Sequence, residues 1–107
     1  MLVLLDENLP HRLRFLIPDH EVRTVTFQGW KALSNGALLE AAEQAGFDVL
    51  VTADQAIRYQ QNIQGRKISI LILSSSELGR LASHADQIVA AINSIRGGII
   101  VALDLGP

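Results

Sequence analysis

Two aspartates each follow an apolar run that has the length of a short strand. Asp6 comes directly after LVLL, and Asp54 closes the segment DVLVTAD. Neighbouring strands of a sheet lie about 4.8 Å apart, so acids at the ends of two such strands come close together. Two carboxylates in a cleft with little water repel each other and need a cation, a shared proton or an arginine. Mg²⁺ fits this role, because it takes one or two carboxylates and keeps several waters that a substrate phosphate displaces.

Each aspartate alone is equally explained as the cap of a following helix, whereas the pair at two strand ends favours a functional site. Glu7 and Asn8 follow Asp6 at once. Glu7 either faces the same cleft or is a solvated loop carboxylate, and Asn8 either supports the site or caps the next helix. Both are therefore candidates for residues that position the acids.

Basic and aromatic side chains follow both acids along the chain. Arg12 comes after Asp6, and the pair Arg58-Tyr59 comes after Asp54. Arginine contacts phosphate and an exposed tyrosine ring stacks on a base, so these three residues are candidates for substrate binding. The alternative is that the arginines are solvated on helix surfaces and that the tyrosine is a half-buried packing residue.

The elements that must position these residues follow from the hydrophobic pattern. Short apolar or alternating runs predict strands at residues 2–5, 21–26, 48–52, 68–73 and 99–103. Segments with helical spacing lie between them, which predicts an α/β domain with a five-stranded, mainly parallel sheet between two layers of helices. Right-handed crossovers favour strand 2 on one side of strand 1 and strands 3, 4 and 5 on the other. Asp6 and Asp54 then flank the topological switch point, where open α/β sheets bind ligands.

Start and stop signals predict four helices. The first is capped by Asn8 and ends at Pro18, and the second runs from a cap at Ser34 or Asn35 to Gly46 and buries Ala45. A short polar helix follows at residues 55–62. A capping box of Ser74 and Glu77 begins a long amphipathic helix that continues through Ile95 and ends at Gly97-Gly98.

Length and composition limit the class of protein. A chain of 107 residues fits a single domain, residues 1–107. It has no cysteine, the start MLVLLDEN lacks the basic region of a signal peptide, and no apolar run has the length of a membrane span. These features predict a cytoplasmic protein without a membrane partner. The net charge of −2 does not favour nucleic acid, so RNA binding requires a local basic patch.

Three segments together resemble a PIN-like domain, in particular its compact branch of unknown function related to the VapC-type ribonuclease toxins. They are LVLLDENLPHRL, WKALSNGALLEAAEQAGFDVLVTAD and ISILIL. The resemblance implies acids at strand ends that hold Mg²⁺ or Mn²⁺ for RNA hydrolysis, with Asp6 and Asp54 as catalytic and metal-binding residues. It also implies RNA as substrate and a small antitoxin protein as partner, with a homodimer as a further possibility.

The sequence departs from the family pattern at Asn35. The acid that usually opens the intervening helix falls on this asparagine. Asn35 brings a carbonyl oxygen that can serve the catalytic site but no charge, and it is equally typical of a helix cap. Another acid of longer PIN domains lies in a helical region that this chain lacks.

Three functions are compatible with these residues. The first is a metal-dependent ribonuclease, as a toxin or a toxin-like protein. The second is a weakened PIN-like module that binds RNA or a protein without cleavage, which Asn35 favours. The third, a phosphoacceptor receiver-like domain, requires a lysine after strand 5, where the chain reads ALD.

Overall fold

A computed structural model describes residues 1–106. Its centre is a parallel five-stranded sheet with strands β1 Leu2–Leu5, β2 Glu21–Thr24, β3 Val49–Thr52, β4 Ser69–Leu73 and β5 Ile100–Leu103. The strand order is β2-β1-β3-β4-β5, as the right-handed crossovers predict. β1, β3 and β4 are almost entirely buried, which explains why their sequences are continuous apolar runs.

Helices cover both faces of the sheet. They are a 3₁₀ helix His11–Leu16 and the α-helices α1 Val25–Gln28, α2 Asn35–Gln44, α3 Ile57–Gln60, α4 Leu78–Ser83 and α5 Ala85–Ser94. α1, α2 and α3 pack on one face, and the 3₁₀ helix, α4 and α5 pack on the other. The fold is therefore a three-layer α/β arrangement, as the sequence predicts. Within residues 1–106 no helix has the length and apolar character to cross a bilayer.

The alternation of each strand divides the core into two clusters. Leu4, Leu50 and Ile70 point to the face that α2 covers, and Leu5, Val51 and Leu71 point to the face that α5 covers. The register pairs Leu5 with Val51, and the Asp6 amide continues the ladder to the Val51 carbonyl at 2.9 Å. β1 and β3 therefore end at the same edge of the sheet, with the loops of both predicted acids side by side.

The first predicted helix is wrong in its type and in its cap. The segment forms a 3₁₀ helix whose cap residue is Pro10, and no side chain caps it. Asn8 is used elsewhere, because its side chain bonds to Thr52 and Ala53 on the neighbouring strand end. The second strand is also shorter than predicted. Thr24 caps α1 by accepting a hydrogen bond from the Phe27 amide at 3.1 Å, so residues 25–26 belong to a helical turn.

The long helix predicted after β4 is two helices. α4 and α5 meet at His84, whose backbone leaves helical geometry and whose Nδ1 lies 2.9 Å from the Arg80 carbonyl oxygen. The predicted capping box is wrong as well: Ser74 accepts from the Leu105 amide, and the Glu77 side chain caps nothing. In α2 the predicted burial of Ala45 is also wrong, since this residue follows the last turn and is exposed.

At the amino-terminal ends of the strands, side-chain contacts hold the loop that precedes β4. Glu43 of α2 accepts hydrogen bonds from the backbone amides of Lys67 at 2.6 Å and Ile68 at 3.3 Å. These amides, with the nearby charges of Arg66 and Lys67, hold the pKa of the Glu43 carboxyl below its ordinary value of 4.5. Gly98 has a φ of 77°, and a Cβ there would lie 2.6 Å from the Arg66 carbonyl oxygen. Only glycine fits this close approach.

Candidate functional site

A fully buried hydroxyl lies between the loops of the two predicted acids. Thr52 is the last residue of β3, and its Oγ1 donates to Asp6 Oδ2 at 2.8 Å. The same oxygen accepts hydrogen bonds from Asn8 Nδ2 and from the Asp54 amide, both at 3.1 Å. A hydroxyl has one proton and two lone pairs, so all its capacity is used. Thr52 therefore links the Asp6 carboxylate to the backbone that carries Asp54.

Asp6 and Asn8 belong to one tight loop after β1. The second carboxylate oxygen of Asp6, Oδ1, accepts from the Glu7 amide at 2.8 Å. Asn8 uses both ends of its amide across the strand gap, since Oδ1 accepts from the Ala53 amide at 3.2 Å while Nδ2 reaches Thr52. Asn8 thus acts as a clamp between the two loops. The Glu7 side chain is exposed and lies on the same cleft as Asp6.

Asp54 is held by the loop that follows β3 and by α2. Its Oδ1 accepts from the Ala56 amide at 3.0 Å, and its Oδ2 accepts from Asn35 Nδ2 at 3.3 Å. Asn35 Nδ2 also donates to Gln60 Oε1 at 3.3 Å. Ser34 is the cap of α2, accepting from the Ala37 amide at 3.4 Å. Because Ser34 takes the capping role, the Asn35 side chain is available to Asp54, and the structure brings these two predicted residues together.

Among residues 1–106, no cationic side chain forms an ion pair with Asp6 or Asp54. All the hydrogen bonds that their carboxylates accept come from neutral donors. The ion pairs found among residues 1–106 lie elsewhere, between Arg23 and Glu21 and between Arg66 and Glu43. The site is therefore a local concentration of negative charge between two loops that neutral groups hold in place.

The donor set fits a hard divalent cation. A carboxylate has about four lone-pair sites, and each of these two carboxylates uses two of them, so both retain oxygen lone pairs. Carboxylate and amide oxygens with water are the ligands of Mg²⁺ and Mn²⁺. No group of three His, Cys, Asp or Glu residues suited to a metal occurs within residues 1–106. A cation here would be held by Asp6 and Asp54, with water or the Asn35 carbonyl oxygen completing its shell.

A cleft of about 480 Å³ opens beside Asp6, at the carboxyl ends of β1 and β2. Its polar lining includes Asp6, Glu7, His11 and Arg14, and Phe27 forms part of its apolar wall. Arg14 comes from the 3₁₀ helix, and its guanidinium carbon lies 4.6 Å from the centre of the Phe15 ring. The cleft therefore combines the acidic end of the site with a basic and an aromatic side chain.

The three predicted substrate-binding residues are exposed but do not line this cleft. Arg12 lies on the 3₁₀ helix, where Arg14 takes the cleft-lining position instead. Arg58 and Tyr59 lie on α3 directly after the Asp54 loop, with the guanidinium carbon of Arg58 5.2 Å from the centre of the Tyr59 ring. The cleft lies at the ends of β1 and β2, whereas this pair follows β3, on the other side of β1 in the strand order.

Sequence reasoning missed two residues of the site, Thr52 and Phe27. Thr52 carries a detectable signal, since it is the one polar residue in a strand that is otherwise apolar. Phe27 carries none, because its place on the cleft depends on a helical turn at the end of a strand. Arg14 follows Asp6 in the same basic segment as Arg12, and only the 3₁₀ geometry determines which of the two lines the cleft. Comparison with family models, with curated proteins and with solved structures finds no match for this chain.

Proposed function

We propose that this protein is a metal-dependent ribonuclease of the PIN-like type, acting as a toxin or a toxin-like protein. The observation that carries the proposal is the link through Thr52, by which one buried hydroxyl fixes both acid-bearing loops at the switch point of a parallel sheet. The charge concentrated there has no cationic partner among residues 1–106. The family resemblance of the DENLP and VLVTAD segments supplies the chemistry.

In this proposal Asp6 and Asp54 hold Mg²⁺ or Mn²⁺. The cation, when bound, stabilises charge on the scissile phosphate and makes a water molecule more acidic. Asn35 keeps Asp54 oriented and offers its carbonyl oxygen to a water, while Asn8 and Thr52 fix the separation of the two loops. Arg12, Arg58 and Tyr59 contact RNA flanking the acids, through phosphate and through base stacking.

A catalytically weakened binding module is the second candidate, and a specific contact favours it. Asn35 stands where the family has an acid, and its amide already occupies an oxygen of Asp54. Such a site attracts a cation less strongly than three carboxylates would. An RNA- or protein-binding domain retains the same cleft and the same arginines without hydrolysis.

Cleavage of single-stranded RNA tests the proposal directly. We expect the purified protein to cleave it with Mg²⁺ or Mn²⁺ and to lose activity in chelator. Asp54→Asn and Asp6→Asn should each reduce the rate by about 100-fold or more, because each removes charge that acts on the phosphate.

The matched control is Asp19→Asn, which neutralises an exposed aspartate outside the cleft and should leave the rate unchanged. Equal cleavage by Asp54→Asn and the wild type would indicate a contaminating nuclease and would contradict the proposal. RNA binding without cleavage in any metal would favour the binding module.

The proposed partner is a small antitoxin, in the cytoplasm. β5 is an edge strand of the sheet, and Ile99 just before it is 42% exposed. An exposed strand edge is a site where another chain can pair. Co-expression with the adjacent gene should give a stable complex by light scattering. A chain that stays monomeric beside that gene product would contradict the antitoxin, and a dimer of this chain alone would favour the homodimer.

A further inference from the structure

Phe27 is the most exposed phenylalanine of the described residues, with 79% of its surface accessible. Other apolar residues of the same segment are used in packing. Val25 is buried, and Trp30 meets Phe47 edge-on with ring centres 5.8 Å apart. The segment therefore has its own anchors in the core, and Phe27 contributes nothing to them. A single exposed apolar side chain is common on protein surfaces, so the interest of Phe27 lies in the cleft that it lines together with Arg14.

The Phe27 backbone is fixed despite this exposure. Its amide donates to Thr24 Oγ1 at 3.1 Å, and α1 ends at Gly29, whose φ of 77° allows the chain to turn. The Trp30 amide then returns to the Val25 carbonyl at 3.1 Å. The Gly29 amide also donates to the Thr26 carbonyl at 3.1 Å, so hydrogen bonds and a glycine together define this one turn at the end of β2. The backbone that carries the ring is therefore held in a defined position beside the cleft.

Arg14 lines the same cleft from the 3₁₀ helix. Its guanidinium stacks on Phe15 and forms no ion pair within residues 1–106. A guanidinium without a carboxylate partner is available for phosphate, which it can bind through two parallel hydrogen bonds. The cleft volume of about 480 Å³ lies in the range of small-ligand sites. The cleft is thus lined by an aromatic ring and an unpaired guanidinium, and it adjoins the acidic site at Asp6.

We propose that Phe27 and Arg14 form a nucleotide subsite, in which a base of single-stranded RNA stacks on the Phe27 ring and a neighbouring phosphate contacts Arg14. The inference rests on the proposed function in taking RNA as the ligand. It adds a path for the RNA, which would run from the subsite at the end of β2 past Asp6 to Asp54. A base is chosen over an apolar protein segment because the cleft joins an unpaired guanidinium to the ring and ends at a site suited to a cation.

Fluorescence anisotropy of labelled oligouridylate and oligoadenylate tests the subsite. The measurement is made in chelator, so that cleavage does not consume the probe. Stacking of one base on an aromatic ring is worth about 1–3 kcal/mol, so Phe27→Ala should raise the dissociation constant about 5- to 150-fold. Phe27→Trp should bind like the wild type, and Phe27→Leu should bind like Phe27→Ala. A base-paired duplex of RNA should show no dependence on Phe27, because its bases are already stacked.

Arg14→Gln has a separate readout. Loss of one phosphate contact to a single strand should reduce the slope of log affinity against log salt by about 0.7. A matched control lies away from the cleft. Arg96→Gln removes a positive charge beside Met1 and Asp48. It should leave affinity and salt slope unchanged, and thermal melts should show that every variant folds.

The outcomes separate the subsite from the proposed function. Equal affinity of Phe27→Ala and wild type, with RNA bound by both, overturns the subsite and leaves the nuclease standing. Wild-type affinity in Phe27→Leu overturns stacking as its basis. Phe27-dependent binding without cleavage in Mg²⁺ or Mn²⁺ supports the subsite and overturns the nuclease. Absence of RNA binding by the wild type in chelator overturns the subsite, and absence of cleavage in Mg²⁺ or Mn²⁺ overturns the nuclease.

Discussion

Asn35→Asp is the substitution that most directly tests the candidate cation site. Asn35 donates to Asp54 Oδ2 at 3.3 Å, and the other donor to the Asp54 carboxylate is the backbone amide of Ala56. Aspartate has nearly the same shape but cannot donate, so it replaces a hydrogen bond with two facing carboxylates. Without metal this is unfavourable. With a cation between the acids it supplies the charged oxygen that the site lacks.

The size of the effect follows from the contact. Loss of a hydrogen bond to a charged acceptor costs about 1.5 kcal/mol. Two unit charges about 4 Å apart repel by about 1 kcal/mol in water and about 4 kcal/mol at an effective dielectric of about 20; for two half-buried residues we take about 1–2 kcal/mol. The introduced carboxylate would also gain about 0.3–1 kcal/mol from the start of α2. The net loss is about 1.5–3 kcal/mol, or about 6–12 °C in melting temperature.

Thermal melts in chelator and in Mg²⁺ are the assay. In chelator Asn35→Asp should melt below Asn35→Ala, which loses the hydrogen bonds to Asp54 and Gln60 without adding a charge and should fall by about 6 °C. Mg²⁺ binds only the folded state and at ten times its dissociation constant adds about 1.4 kcal/mol. We therefore expect Mg²⁺ to raise the melting temperature of Asn35→Asp more than that of the wild type. Asn35→Ala keeps Asp6 and Asp54 and should respond to Mg²⁺ no more strongly than the wild type.

The control for an added charge is Asn62→Asp, at an exposed turn where the side chain accepts from the Gln64 amide and aspartate can do the same. This variant should melt like the wild type in both conditions. The reasoning is refuted if Asn35→Asp and Asn35→Ala lose equal stability in chelator and respond equally to Mg²⁺. In that case Asn35 is a structural residue of α2 and does not face a cation held by the two acids.

Three further substitutions test contacts that position the site or hold the sheet. Thr52→Val removes a buried hydroxyl with three partners and should cost about 1–3 kcal/mol of unfolding free energy by urea titration, whereas exposed Thr26→Val should cost almost nothing. The pKa of Glu43 is lowered in the folded protein, so its contribution to stability is present above pH 4.5 and is lost as pH falls through the pKa of the folded state. Glu43→Gln should therefore melt below the wild type at pH 7 and at the same temperature as the wild type in strong acid. Gly98→Ala should destabilise the fold more than Gly65→Ala, since both have positive φ but only the first would meet a carbonyl oxygen, and equal melting temperatures would contradict the close approach.

The strands and their order could be predicted because burial leaves a strong pattern in the sequence. LVLL, VLVT and SILIL are apolar at every position or nearly so, and only strands covered on both faces need such runs. The bounds of the helices are harder to predict from the sequence. The pattern from Leu78 to Ile95 is that of one helix, yet the chain breaks at His84, where the ring contacts the backbone of the preceding turn. A side chain that competes for a backbone carbonyl leaves the hydrophobic period unchanged.

The acids of the candidate site could be found from the sequence, whereas the groups that position them could not. Acids at the ends of two apolar runs have a location that the topology alone determines. The local sequence around Asn8 predicts a helix cap, whereas in the structure its amide joins two strand ends. Such a choice depends on which residue lies across the sheet. Phe27 and Arg14 are likewise brought to one cleft by tertiary structure.

The candidate site consists of two charged acids and the neutral groups that hold their loops in place. The two acid loops are fixed by a threonine hydroxyl, an asparagine amide and backbone amides, all of them uncharged donors. These bonds need no cation, so they hold the loops in place whether or not a metal is bound. Under the proposed function, a divalent ion would add stability to a site that is already formed, because it would bind the folded state alone. The neutral donors would thus leave the negative charge of Asp6 and Asp54 available for that cation, at the end of the cleft beside Asp6.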